Sequence, residues 1–372
     1  MPQHHVLVLL YITINIFSCY LIIVGGTTSL LPNDKIISGT SPWKYQYIPL
    51  QLPLHVKDNI QNGHGLTKDL NGNIYFTYQP INISDSTQVL VKFYYDSAKK
   101  SMVATALGST DLSQGVPHGL QYEFDDDDAT TAKEEYLYHA NNQQTIFKTD
   151  LLGNIIWKSN FSDWVDTKPN FWPFKPTDCI VIPKTDILLV ADGYGSSFVH
   201  SINKTTGEYI EGKSFGGKGN TTSDPIRFNT PHGIKIDVEK ELIIVSDRSN
   251  NRIVWVDYDF KYVRSKTLHE GLALPCNEHL HYEKSTDEYV SIVPSLGDSY
   301  QQMYNGSVGI YNQRGDGELL SVIEVAKLLG KEGHQHPHDA IFLENGDAII
   351  CCWSGPADYG PAKGTVSYWK KL

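Results

Sequence analysis

HGIKIDVEKELIIVSD, residues 232–247, carries the reading of this chain. A His-Gly pair opens an apolar run with alternation, a charged turn follows, and a second run, Leu242 to Val245, ends in Ser-Asp. Two short apolar runs around a turn read as a pair of strands. The same kind of head recurs in GHGLTKD around His64, VPHGLQYE around His118, KPTDCIVI around Asp178, NEHLHYE around His279 and His281, and HPHDAIFL around His338. From His64, the gaps to His118, Asp178, His232, His279 and His338 are 54, 60, 54, 47 and 59 residues. A period of about 50 residues built from short strands marks a repeat architecture. The expected fold is all-β, a six-bladed β-propeller. Its innermost strands line one channel, so histidines far apart in sequence converge on the axis.

The rest of the chain agrees with this. A length of 372 residues suits one closed all-β unit, and 22 Tyr, 7 Trp and 30 Gly suit many short strands with tight turns. LNGN at 70–73, LLGN at 151–154 and ENGD at 344–347 place Gly between strand segments, as hairpins require. Residues 45–372 read as a single propeller domain, preceded by a polar connection at 27–44. The last unit has room for about three strands, so a strand from Tyr45 to Val56 is expected to complete it and close the ring. The best helical candidate is the short stretch Leu319 to Leu329.

The apolar run Val6 to Val24 makes residues 1–26 a signal peptide or a signal anchor, the only expected route to a membrane. Either directs the chain into the secretory pathway. Sequons at Asn82, Asn160, Asn203, Asn220 and Asn305 agree, although an Asn- and Thr-rich chain produces some by chance. Cys179, Cys276, Cys351 and Cys352 remain beyond Cys19 of the leader, and a chain that buries a large core needs no disulfide. A net charge of −11 argues against nucleic-acid binding, and the acidic run Asp125 to Asp128 reads as a solvated loop. The glycine-rich segment 212–225 lacks GxxxxGK[ST] and a following helix, so it is read as a surface loop.

His118, His232 and His338 each follow a proline and precede Gly or Asp and a strand. Three imidazoles converging at one end of a channel suit a catalytic zinc with an open fourth position. His64, His281 and His336 lie at or beside similar heads and are expected to line the channel or support the ligands. Tyr194 in ADGYGSS and Arg248 in SDRSNNRI occupy turns after the second strand of adjacent units. At one channel mouth, near a divalent metal and an arginine, a tyrosine acquires a lowered pKa and serves as a base.

The order and spacing of PHGL at 117–120, PTD at 176–178, ADGY at 191–194, FNTPHG at 228–233, SDR-x-N-x-RI at 246–253 and PHD at 337–339 resemble peptidyl-α-hydroxyglycine α-amidating lyase. That family is built from NHL-type propeller repeats. The resemblance implies a zinc on His118, His232 and His338. It implies a calcium held by Asp339 and the carbonyls of Leu66 and Leu120, a catalytic Tyr194 and an active-site Arg248. The chain departs from the pattern at Gln79, where the family has a second arginine, and at His336, where it has a pocket methionine. The family's disulfide positions fall on Phe174 with Gly195 and on Ile244 with Trp255. The implied activity is zinc-dependent C–N cleavage of a peptidyl α-hydroxyglycine to a peptide amide and glyoxylate, on a peptide hydroxylated by a separate monooxygenase. The alternatives are a non-catalytic propeller that uses its metals as pins and binds a protein or glycan, or another metal-dependent lyase or hydrolase on the same scaffold.

Overall fold

In the computed structural model the described residues are 35–84, 87–99, 101–125, 134–160, 173–220, 224–269, 271–284, 286–297, 306–313, 317–330, 333–353 and 364–372. The leader, Cys19, Asn305 and most of the acidic run lie outside them. The chain divides into Met1–Lys35 and a compact unit, Ile36–Leu372, which is described below. No helix among the described residues is long and apolar enough to cross a membrane.

Strands form by the repeat that the sequence suggested. The strand Pro231–Asp237 pairs antiparallel with Leu242–Asp247, then Arg252–Asp257, then Tyr262–Thr267. The two inner strands are buried along nearly their whole length, whereas the outermost alternates between half-buried and exposed. Inner strands with both faces covered carry near-continuous Ile, Leu and Val rather than strict alternation. The cover comes from the adjacent sheet. Ile234, Ile243, Val245 and Val254 pack with Leu189, Ala191, Val199 and Phe228 in one cluster between two sheets. Each such aliphatic side chain, fully buried, contributes about 1.5–3 kcal/mol.

The result is an all-β propeller, with one departure from six separate blades. Among the described residues, hydrogen bonding defines four four-stranded blades and one nine-stranded sheet. The nine strands stay continuous through a single pair, Trp353 opposite Asn62. On one side lie Ile60–Lys68, Ile74–Pro80, Leu90–Asp96 and Ser101–Leu107. On the other lie His336–Phe342, Ala348–Trp353, Thr365–Lys371, Trp43–Ile48 and Ile37–Thr40.

The N-terminal segment does pair with the last strand of the sequence, Tyr45 opposite Lys371 and Ile48 opposite Tyr368. It stops earlier than Val56, however. Pro49 follows Ile48 with no donor for the ladder, and Pro53 precedes a one-turn helix, Leu54–Lys57. The expected connection at 27–44 is also partly strand, because Ile37–Thr40 adds outside Trp43–Ile48. The helix expected over Leu319 to Leu329 is split. Leu319–Ile323 is a strand paired with Ser307–Asn312, and only Val325–Leu329 is helical. Here a free strand edge outweighs local propensity.

Candidate metal centre

The head of each inner strand packs against the head of the next. A Cβ on Gly119 would lie 2.5 Å from the Cα of Asp178, and one on Gly233 would lie 2.6 Å from the Cα of Asn277. Only glycine permits that approach, which explains the residue after these histidines. This contact also corrects two heads. Asp178 Oδ2 accepts from Ile234 N, as Asp339 Oδ2 accepts from Leu66 N, so Asp178 corresponds to Asp339 and Thr177 takes the histidine position. Likewise Cys276, between Pro275 and Asn277, is the head of its strand. His279 and His281 lie further along, opposite Ile292 and Val290.

Four imidazoles meet at this ring. The centroids of His118, His232 and His338 are 4.6–4.9 Å apart. His64 lies 4.4 Å from His118 and 4.7 Å from His338. Each Nδ1 meets a backbone carbonyl: His64 with Pro117 (2.6 Å), His118 with Thr177 (2.6 Å), His232 with Cys276 (2.7 Å) and His338 with His64 (3.0 Å). A carbonyl only accepts, so every Nδ1 carries the proton and every Nε2 presents a lone pair. Burial drives the pKa of all four down, His64 to about 4. They stay neutral, as ligands must. The Nε2 of His118 is buried without a hydrogen-bond partner. Among the described residues, two groups have donor atoms within 4.8 Å of one another: His64, His118 and His338, and His232, Cys276 and His338. The cluster is therefore competent to bind a metal. An imidazole set suits zinc and other borderline ions. Cys276 contributes less, since burial raises its thiol to about 11.

Tyr194 and Arg248 come together at this cluster. Arg248 Nη1 donates to Tyr194 Oη at 3.0 Å. Tyr194 Oη lies 3.0 Å from His232 Nε2, and since that nitrogen has no proton the phenol donates to it. Both turns are organised by an aspartate at the end of the second strand. Asp192 accepts from Lys175 N (2.6 Å) and Ser196 N (2.7 Å), which shapes the loop bearing Tyr194. Asp247 accepts from Asn229 N (2.7 Å) and Arg252 Nε (2.7 Å), which shapes the loop bearing Arg248. The shared Ala-Asp and Ser-Asp endings were the available signal for both.

Gln79 is engaged by Asn62, whose Nδ2 donates to its Oε1 at 2.8 Å. His336 stacks on Trp353 with centroids 5.0 Å apart. Cys179, Cys276, Cys351 and Cys352 are buried free thiols. At one implied disulfide position, Ile244 and Trp255 are direct cross-strand partners, so an apolar pair occupies that site.

Further along the inner strands is a cavity of about 410 Å³ lined by Leu66, Gln121, Ile180, Lys235, Ile236 and His279. The calcium implied at Asp339, Leu66 and Leu120 does not fit well there, because the channel already carries a cation. Lys235 Nζ donates to Asp178 Oδ2 at 2.7 Å, and both side chains are buried. Burial opposes the lysine's charge, but the carboxylates of Asp178 and Asp339 outweigh it and hold its pKa above the ordinary value. Burial pushes Asp339 up to about 7, and both its oxygens accept from the backbone, from Leu66 N and Ala340 N. A divalent ion there would face an ammonium, with Asp339 as its one carboxylate ligand and Asp178 already paired to Lys235.

Comparison with known proteins adds to the fold. Residues 228–256 match the family model of the NHL repeat. No curated protein matches the chain. The luciferin-regenerating enzyme has a similar solved structure: 9% identity, 91% of this chain and 96% of that one covered, TM-score 0.49. Sqt1 of Saccharomyces cerevisiae is similar at 11% identity, with 82% and 80% covered and a TM-score of 0.42. The fold and the match define a β-propeller that contains an NHL repeat and a buried histidine cluster able to bind a metal.

Proposed function

We propose that this protein is a zinc-dependent lyase that cleaves peptidyl α-hydroxyglycine to a peptide amide and glyoxylate. One observation carries the reading: Tyr194, bonded to both Arg248 and His232, stands at the rim of a cluster of neutral imidazoles. The nine-stranded sheet is read as two blades joined at Trp353 and Asn62, which gives six around the axis. The substrate would come from a separate monooxygenase, and the leader would place the enzyme in the secretory pathway.

His118, His232 and His338 would hold the zinc, which supplies a Lewis acid for the substrate hydroxyl oxygen. Donation from Arg248 stabilises negative charge on Tyr194 Oη and favours the tyrosinate. The tyrosinate takes the hydroxyl proton, the O–H electron pair becomes the aldehyde C=O, and the C–N bond breaks. The departing amide nitrogen then takes that proton back from Tyr194, so atoms and charge balance. Arg248 also offsets the charge that develops on oxygen as the bond breaks.

The test is glyoxylate release from an α-hydroxyglycine peptide by the zinc-loaded protein, with Gln79→Arg beside it. Release, raised by a cation at 79, supports the reading. Neither release nor gain would replace it with the metal-pinned binding propeller, which Gln79's engagement with Asn62 favours.

A further inference from the structure

The family resemblance gives the metal to His118, His232 and His338 and leaves His64 as lining. The geometry points to His64 as a ligand too, so that four histidine nitrogens, one from each of four inner strands, hold the ion. This rests on the metal-binding part of the reading above and not on its lyase chemistry.

Three observations carry it. The donor atoms of His64, His118 and His338 lie within 4.8 Å of one another and all three residues are buried, a grouping that omits His232. The tautomer of His64 is set by Pro117 O at 2.6 Å, so its free lone pair is on Nε2. Its ring stacks on His118 at 4.4 Å and 23°, and the Nε2 of His118 is buried with no partner. A lone pair buried without a donor, as on His118 Nε2, is a costly arrangement. A cation shared by His118 and His64 removes that cost. His232 differs, because its Nε2 already has Tyr194 as a partner.

A four-nitrogen tetrahedron is closed, unlike the three-ligand arrangement of catalytic zinc. An arriving oxygen ligand then needs a fifth position or the release of one imidazole. His232 is the histidine with another partner available.

The experiment measures zinc affinity by chelator competition and the visible spectrum of the cobalt(II)-loaded full chain, with no substrate present. The variants are His64→Ala and His64→Gln, the latter keeping an amide donor toward Pro117 O. Loss of a group that only supports a ligand costs about 10–100-fold in affinity. A true ligand should cost more than about 100-fold in both variants, change the cobalt bands, and let added imidazole restore the spectrum of His64→Ala. Metal-free variants should keep the wild-type circular dichroism. An affinity loss below about 100-fold with unchanged cobalt bands would overturn the proposal. So would failure of the wild type to bind zinc or cobalt. Absence of glyoxylate release would leave it intact.

Discussion

Replacing Lys235 by Met removes the ammonium from the channel and leaves the rest of its stem. Asp178 then loses a partner at 2.7 Å in a site where the two side chains are 10% and 3% exposed. Leaving one member of a buried pair unpaired costs about 3–5 kcal/mol. Asp178 keeps Cys179 N at 2.9 Å, Ile234 N at 3.2 Å and Asn277 Nδ2 at 3.4 Å, so the loss should fall near the lower end, about 3 kcal/mol. The double variant Lys235→Met/Asp178→Asn removes the stranded charge and should recover most of it. Urea unfolding at pH 7 measures all three proteins, each in EGTA and in excess calcium. The wild type should be indifferent to calcium, since its cation is covalent. Lys235→Met has two carboxylates and no cation, and calcium at about 100 times its Kd should return about 2.7 kcal/mol. A variant within about 0.5 kcal/mol of wild type, where ordinary surface substitutions fall, would refute the reasoning. A wild type that EGTA destabilises would refute it equally.

Tyr194→Phe should lower kcat for glyoxylate release by about 10²–10⁴-fold, with zinc content unchanged. Burial raises Glu278 from 4.5 to about 7, so the stability it contributes as the neutral acid is complete below about 4.5 and lost as pH rises through about 7. Glu278→Gln should therefore be more stable than wild type by about 1–3 kcal/mol at pH 8, with the gain vanishing near pH 5, as read by denaturant titration at both. Gly119→Ala should destabilise by about 1–3 kcal/mol and weaken zinc binding, because its Cβ would press on Asp178 and the Thr177 carbonyl that holds His118; equal stability and affinity would contradict the packed ring of heads.

The period, the strands and the grouping of His118, His232 and His338 were legible in the sequence because each leaves a repeated local pattern. Other features leave none. Thr177 and Cys276 occupy histidine positions but do not look like histidine in sequence, so counting from Asp178 and His279 put those heads one and three residues late. Lys235 reads as an outward residue of an alternating strand, and only the opposing Asp178 and Asp339 show that it faces in. His64 lacks the preceding proline of its counterparts, and its approach to His118 depends on neighbouring strands meeting. The continuity of nine strands turns on Trp353 and Asn62, a contact between residues 291 positions apart that no local pattern encodes.

The pairing of Trp43–Ile48 with Thr365–Lys371 bears on how the chain acquires its fold. The ladder joins residues more than three hundred apart, and loop closure on that scale is slow. During synthesis Trp43, Tyr45 and the edge they belong to wait for a partner that is translated more than three hundred residues later. Until then a growing chain presents an open sheet edge and an uncovered aromatic cluster, which is what chaperones recognise and what promotes aggregation. Dependence on folding assistance should therefore track synthesis of Thr365–Lys371, and a chain truncated before Thr365 should remain in a chaperone-bound state however well its middle blades have formed.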